Sequence, residues 1–217
     1  MNGSNGEDGL AIVPVGLRVD GRRILVVGAG RIAARKAEAY VSQGAFVAVV
    51  APDHSSEMEL VDVAERTRRR FVEGDLDDAW LVVTATGLPA VDGEVYRAAE
   101  SRRIWCNAAD DPAHCSVILP AVARRGPFTV SVSSGGLSPA AASWLRRRIE
   151  TEILTDASVS VAYVCAAVRQ RVKGRGRSTE TPGWQAVLGD VVAETVIAND
   201  AVDLGRRLEA AVVGERS

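Results

Sequence analysis

The sequence predicts an α/β protein: a doubly wound parallel sheet, then a short β-hairpin/helix segment, then a small helical C-terminal domain. Three observations carry this expectation. Apolar runs at 24–27, 46–50 and 80–85 are separated by helical stretches, a glycine turn directly follows the first run, and beyond residue 157 the pattern is helical. Continuous apolar runs suit parallel strands buried on both faces. Strands alternating with helices at this spacing imply a doubly wound sheet.

The first unit reads β-α-β. Strand 24–27 meets the glycine turn, a helix follows with alanines on one face, Gly44 ends it, and strand 46–50 begins. A polar helical stretch over roughly 55–66 then precedes a third strand at 70–72, which brings Glu73-Gly74-Asp75 to a loop. Residues 80–85 form the fourth strand, 91–101 the returning helix, and 104–107 the fifth strand. Two further strand-like runs, 117–122 and 128–133, are joined by the turn-rich 123–127 and suit an antiparallel pair. Ser138 is a good N-cap and Pro139 a good first residue for a helix reaching about residue 150. Residues 157–172 and 184–213 are helical in pattern, separated by KGRGRSTETPG.

Composition narrows the functional classes. The 217 residues are 47% hydrophobic, enough for a substantial core. The 28 acidic and 26 basic residues nearly cancel, so no general field favours nucleic acid or a membrane surface. No window of about 18 apolar residues is present. The polar, acidic N-terminus lacks the basic and apolar regions of a secretory signal, so residues 1–11 are expected to be a disordered leader of a cytoplasmic protein. The three cysteines, Cys106, Cys115 and Cys165, have no CxxC spacing, which argues against a disulfide framework or a zinc site and leaves buried thiols as the expectation.

The glycine turn Gly28-Ala29-Gly30-Arg31-Ile32-Ala33 matches G-x-G-x-x-G/A between a strand and a helix. Gly28 allows the tight turn, Gly30 lets a pyrophosphate approach the backbone, Ala33 permits close helix–strand packing, and the helix N-terminus stabilises the anion. A Rossmann-like nucleotide domain follows from this placement, with Gly28, Ala29, Gly30, Arg31 and Ile32 as cofactor-binding candidates. Asp53, beyond the second strand, is placed to meet an adenosine ribose 2′-OH, or else to cap the next helix. No arginine follows immediately to take a 2′-phosphate, which favours NAD. Thr84, Ala85 and Thr86 end the fourth strand, where a parallel sheet presents its ligand edge. They either line the nicotinamide side of the cleft or form a strand-to-helix turn with Thr86 as a cap.

In NAADDPAHCSVILPA two carboxylates, a histidine and a cysteine crowd together after the fifth strand. His114 and Cys115 are adjacent and have no further His or Cys nearby, so a resident metal is not expected. Asp110-Asp111-Pro112 reads as a turn on the residues alone. Ser133-Ser134-Gly135-Gly136, ahead of Ser138, offers hydroxyls and a helix N-terminus suited to an anion, or a plain turn with its cap.

These motifs occur in one order over roughly residues 12–150: the glycine turn, Thr84-Ala85-Thr86, NAADDPAHCSVILPA and VSVSSGGLSPAAASWLRRRIE. Together they resemble the precorrin-2 dehydrogenase/sirohydrochlorin ferrochelatase family, the module that forms the N-terminal half of siroheme synthase. The resemblance implies that NAD accepts a hydride from precorrin-2 to give sirohydrochlorin. In bifunctional members Fe(II) is then inserted as a second substrate. It also implies a homodimer with a middle segment shared between protomers, while the charge balance and the lack of a long apolar window lead to the expectation of no nucleic-acid or membrane partner. Asp110, the first carboxylate after Asn-x-x, then becomes the catalytic candidate. It would act as general base beside the nicotinamide and accept a pyrrole proton in chelation.

Under this resemblance Asn107, His114 and Ser134 are substrate-binding candidates for the tetrapyrrole, and Ser134 corresponds to a serine that can be phosphorylated. The implied organisation is an NAD-binding domain over 12–112, a dimerisation and substrate-cleft segment over 113–150, and a helical domain over 151–217. Gly87, Asp92 and His114 depart from the usual pattern, and no methyltransferase domain follows. These departures leave the dehydrogenase reading intact and weaken the chelatase one. The alternatives are a dehydrogenase served by a separate chelatase, or a regulatory NAD-sensing module.

Overall fold

The computed structural model describes residues 10, 12–180, 183–184, 187–188 and 201–213. The chain divides into two compact units, Ala11–Leu119 and Pro120–Ser217, the latter taking in Leu10 as well. The rest of the expected leader lies outside the described residues.

The first unit is a parallel sheet of five strands: β1 (Arg23–Val27), β2 (Phe46–Val50), β3 (Glu65–Thr67), β4 (Leu81–Thr84) and β5 (Trp105–Ala108). Their order is β3-β2-β1-β4-β5, with every pairing parallel. Helix α1 (Arg31–Val41) links β1 to β2, the short α2 (Ser56–Glu59) links β2 to β3, and α3 (Pro89–Ser101) links β4 to β5. Because strand side chains alternate, Ile24 and Val26 enter one core with Ala33, Ala34 and Ala37 of α1. Leu25 and Val27 enter the opposite core with Val95, Ala98 and Ala99 of α3. Each fully buried aliphatic side chain contributes roughly 1.5–3 kcal/mol, which is why the strands read as unbroken apolar runs.

Two expectations for this unit are corrected. The helix expected over 55–66 is only one turn, and the third strand lies at Glu65–Thr67, not at 70–72. Ser55 caps α2 by accepting the Met58 amide at 3.3 Å, but the Arg66 guanidinium takes the carbonyls of Met58 and Glu59, both at 3.3 Å, and of Val61. An edge strand needs only backbone pairing on one side, so a charged Glu-Arg-Thr segment is tolerated there. Phe71 packs against the β-sheet core without joining a strand, and Val72 leads into a 3₁₀ turn at Glu73–Leu76. Elsewhere in the sheet the strand and helix ends move by one or two residues.

In the second unit β6 (Ala121–Arg125) and β7 (Phe128–Val132) form an antiparallel hairpin around Gly126-Pro127. Gly126 has φ +53°, and a β-carbon there would stand 2.8 Å from Val159. The first hairpin strand begins at Ala121, four positions later than expected from the run starting at Val117. The amides of Ser116 and Val117 are taken by the Cys106 carbonyl at 2.9 and 3.1 Å, and Val117 packs on the first unit's core. The chain therefore stays with the sheet up to Leu119.

Helix α4 (Pro139–Arg148) is capped by Ser138, whose hydroxyl accepts the Ala141 amide at 3.1 Å, and it continues as a π-helical turn at Ile149–Ile153. Helix α5 (Asp156–Gly174) packs on α6 (Ala201–Val213) through Val168, Val172, Leu204, Leu208 and Val212. The remainder of the helix expected over 184–213 lies largely outside the described residues. Among the described residues no single helix is long and apolar enough to cross a membrane.

Candidate functional site

In the first unit the strand order reverses between β1 and β4, so a crevice is expected beyond the carboxyl ends of these strands. The glycine turn stands there. Gly28 has φ +105°, and a β-carbon on it would lie 2.5 Å from the Ala85 carbonyl oxygen. Its amide donates to the Val50 carbonyl at 2.9 Å, so the turn is clamped between β2 and the end of β4. Gly30 differs: a β-carbon there would meet nothing within 4 Å, so the backbone faces open space. Ala33 is fully buried.

Helix α1 starts at Arg31 with no side-chain cap and no acidic residue in its first turn. No side chain caps its positive end, and together with the open space at Gly30 this fits a dinucleotide pyrophosphate. Arg31 and Ile32 are exposed at this end. The Ala29 carbonyl accepts the Ser55 amide at 3.0 Å, tying the loop after β2 to the turn. Asp53 is exposed in that loop, and Ser55 caps α2, which removes the capping alternative for Asp53.

The end of β4 is organised by Asp92, which in the sequence stands out only as a departure from the family pattern. This carboxylate is buried in the first turn of α3. One oxygen accepts from the Thr84 hydroxyl, from the Thr86 hydroxyl at 2.8 Å and from the Thr86 amide at 3.3 Å. The helix N-terminus adds a favourable field for the same charge. Thr86 also accepts the Leu88 amide at 3.1 Å, while Leu88 itself occupies the N-cap position. Residues 84–87 are thus a loop pinned from below, with Gly87 at φ +71°.

Beyond β5 the chain is held against the end of β4 by the Ala109 amide, which donates to the Thr84 carbonyl at 2.8 Å. Asp110 follows, exposed and with φ +61°, a left-handed conformation that only Asn, Asp and Gly adopt readily. Behind it Cys115 closes the loop. Its sulfur accepts the Ala108 amide at 3.2 Å and lies 3.3 Å from the carbonyls of Ala108 and Asp111. Burial pushes the Cys115 thiol up, which keeps it in the S–H form. Cys106 is fully buried and pushed up to about 12 by that burial, whereas Cys115 and Cys165 are only half-buried.

Asn107 is buried, and its side chain is engaged on both ends: Oδ1 accepts from Lys36 Nζ at 2.8 Å, and Nδ2 donates to the Val117 carbonyl at 2.9 Å. Lys36 was not among the sequence candidates, and its only signal was that α1 carries one of the chain's two lysines. Burial holds its ammonium below the usual lysine value, as does the neighbouring Arg35, against the opposite pull of Cys115 and Asp110.

His114 bonds to Asp111 at 2.6 Å through Nδ1 and meets Tyr96 edge-on with ring centroids 5.2 Å apart. This bond holds the Asp111 carboxyl below its ordinary range. Among the described residues no three His, Cys, Asp or Glu side chains gather as a metal site. Ser134 belongs to the second unit, where its hydroxyl accepts the Ser138 amide at 2.9 Å.

The fold and the glycine turn define a dinucleotide-binding domain, with a pinned threonine loop and a carboxylate-bearing loop at the ends of the neighbouring strands. A family model described as "Putative NAD(P)-binding" matches residues 15–121, and one described as "Sirohaem biosynthesis protein central" matches residues 125–152. Siroheme synthase of Nitrosococcus oceani is 35% identical over 207 residues, covering 93% of this chain and 44% of the relative. Siroheme synthase of Pseudomonas fluorescens is 35% identical over 208 residues, covering 94% and 45%. A solved structure titled "SirC, precorrin-2 dehydrogenase" superposes with a TM-score of 0.68 at 21% identity, covering 94% of this chain and all of that one. The likeness to that structure concerns the fold. The chain is thus similar to the siroheme synthases across an NAD(P)-binding segment and a sirohaem central segment, and it spans less than half the length of these relatives.

Proposed function

We propose that this chain oxidises precorrin-2 to sirohydrochlorin with NAD, Asp110 serving as the general base. The observation that carries the reading is the placement of Asp110: an exposed carboxylate in a left-handed conformation, tied through Ala109 to the threonine loop bordering the glycine turn.

NAD, when bound, supplies the hydride acceptor. Gly28, Ala29 and Gly30 give it a close backbone approach, with Arg31 and Ile32 at the helix entrance. Asp53 serves the adenosine ribose, and Thr84, Ala85 and Thr86 border the nicotinamide. The oxidation removes a hydride and a proton from the macrocycle, and the Asp110 carboxylate takes the proton. The Ser134 hydroxyl donates to a carboxylate of the tetrapyrrole, and Asn107 acts from beneath the loop, its polar atoms being already engaged. His114, held by Asp111 in the same loop, is the further side chain assigned to the tetrapyrrole. Insertion of Fe(II) as a second substrate fits the same carboxylate, which would accept a pyrrole proton as the metal enters. A homodimer in the cytoplasm completes the proposal.

The test is anaerobic addition of precorrin-2 and NAD, followed by NADH absorbance. The expected result is NADH formation by the native chain and its loss in Asp110→Ala. Binding of NAD with no NADH formed would leave a cofactor-sensing module and remove the dehydrogenase. Metal insertion is read separately with sirohydrochlorin and Fe(II), after subtracting the rate without protein. An excess rate lost in Asp110→Ala supports a bifunctional enzyme, and none points to a separate chelatase.

A further inference from the structure

We propose that Lys36 is a positioning residue for the Asp110 loop, acting through Asn107; the inference rests on the dehydrogenase reading above. The geometry is specific. Lys36 stands on α1, the helix that begins at the glycine turn, while Asn107 is on β5, 71 positions later. The 2.8 Å bond between them crosses from the helix to the strand that carries Asp110. Asn107 then spends its amide on the Val117 carbonyl at 2.9 Å. The same amide nitrogen lies 3.7 Å from the Cys115 sulfur, which anchors both Ala108 and Asp111. The entrance and the exit of the loop around Asp110 are therefore fastened to one side chain, and Lys36 holds that side chain from α1.

The placement has an energetic sign. Removing an ammonium from water is costly, and here the bond to a neutral amide returns only part of that cost. The titratable groups facing Lys36 are Arg35 on its own helix and, across the gap, the Asp110 carboxylate and the Cys115 thiol, which stays in its S–H form. The ammonium thus fixes the Asn107 rotamer while contributing a positive field on the side of the catalytic carboxylate. Misplacing a reacting group by about 1 Å can cost around 100-fold in rate, so a residue that never touches the substrate can control turnover.

The experiment compares Lys36→Met, Lys36→Arg and Asn107→Leu in the full chain, measuring kcat and KM for precorrin-2 oxidation and the Kd for NAD. Lys36→Met is expected to lower kcat about 10- to 100-fold, with the Kd for NAD within about twofold. Lys36→Arg should recover most of kcat, since it restores an N–H donor and a positive charge. Asn107→Leu should lose as much as Lys36→Met, and the double variant no more than either, as expected for one shared connection. Unchanged kcat in Lys36→Met would overturn the inference, as would equal losses in Lys36→Met and Lys36→Arg. Parallel loss of NAD binding and kcat in Lys36→Met would also overturn it, because the lysine would then support the domain as a whole. If the native chain forms no NADH, the dehydrogenase reading itself fails. If the native chain is active, Asp110→Ala is inactive and Lys36→Met is fully active, only the positioning role fails.

Discussion

At the carboxyl end of β1 the glycine turn is shaped by backbone alone. Gly28 fits because it has no side chain, and its clamps are amides and carbonyls of β2 and β4. At the end of β5 the loop bearing Asp110 is hung on side chains: Asn107 and Lys36 at its entrance, Cys115 behind it and His114 on Asp111. The first region fails when an atom is added, the second when one is taken away. This difference gives each half of the site its own mutational signature.

The largest expected effect is on chemistry. Asp110→Ala should lower kcat for precorrin-2 oxidation by about 10²–10⁴-fold, the range for loss of a general base, with the Kd for NAD within about twofold. Asp110→Asn sharpens the comparison, because Asn also accepts the left-handed conformation and preserves the loop. It should be as inactive as the alanine variant while keeping the native melting temperature. Full activity in Asp110→Asn would assign the residue to the turn and leave the second region without its base.

Adding one methyl group tests the first region. Gly28→Ala places a β-carbon 2.5 Å from a carbonyl oxygen at a φ that alanine rarely adopts. Strain and overpacking together should cost about 2–4 kcal/mol of stability and abolish NAD binding, measured by denaturant unfolding and by cofactor titration. Gly30→Ala meets open space and should leave stability within about 0.5 kcal/mol while weakening NAD, because the new methyl group occupies the approach to the pyrophosphate. Equal destabilisation by the two substitutions would mean that the turn is not divided into a packed glycine and an open one.

These two regions were unequally legible in the sequence. The turn has a sequence signature because backbone conformation restricts residue type directly: Gly28, Gly30 and Ala33 each answer a local steric demand. The sheet itself was legible for the same kind of reason, since β1, β2 and β4 are buried on both faces and read as apolar runs. The third strand was misplaced because Glu65–Thr67 is an edge strand whose backbone pairing imposes no apolar pattern, while the more apolar 70–72 packs without pairing. The Asp110 loop was located by its motif, and Asn107 was expected to bind substrate, but the support that Asn107 and Lys36 give the loop was not legible. Lys36 and Asn107 are far apart in sequence, and Asp92 meets Thr84 and Thr86 only because α3 folds back over β4. Such contacts follow from topology, and spacing alone does not announce them.

Asp92 is the intermediate case, a side chain that supports the backbone region. Asp92→Leu would leave the hydroxyls of Thr84 and Thr86 and the Thr86 amide without their common acceptor. Unsatisfied buried donors cost about 1–3 kcal/mol each when nothing relaxes, so a loss of about 2–4 kcal/mol is expected, read by urea unfolding, together with weaker NAD binding. Asp92→Asn keeps an acceptor oxygen and should lose less than half as much. If Asp92→Leu unfolds at native denaturant concentrations, the threonine loop is set by its own backbone and belongs wholly to the first type of region.

The smallest effect concerns the half-buried Lys36 ammonium beneath the second region, and its sign can be worked out. The folded-state pKa of Lys36 lies below the ordinary lysine value of 10.5, chiefly through burial. Between these two values the unfolded chain binds more protons than the folded one, so stability rises with pH in that window. Below it both states are protonated, and the folded protein bears the full cost of the desolvated charge. Lys36→Met removes that cost but leaves the Asn107 carbonyl oxygen without its donor, a penalty of about 1–3 kcal/mol. The two changes oppose each other, so at pH 7 the variant should lie within about 1 kcal/mol of the native chain even though its turnover falls. Raising the pH toward 10.5 should then favour the native chain progressively, because its lysine sheds the charge yet still donates to Asn107. Urea unfolding of both proteins at pH 7, 8, 9 and 10 measures this. A stability difference that stays flat across the series would mean that Lys36 titrates alike in the folded and unfolded chains, and the ammonium would then not be held at an energetic cost.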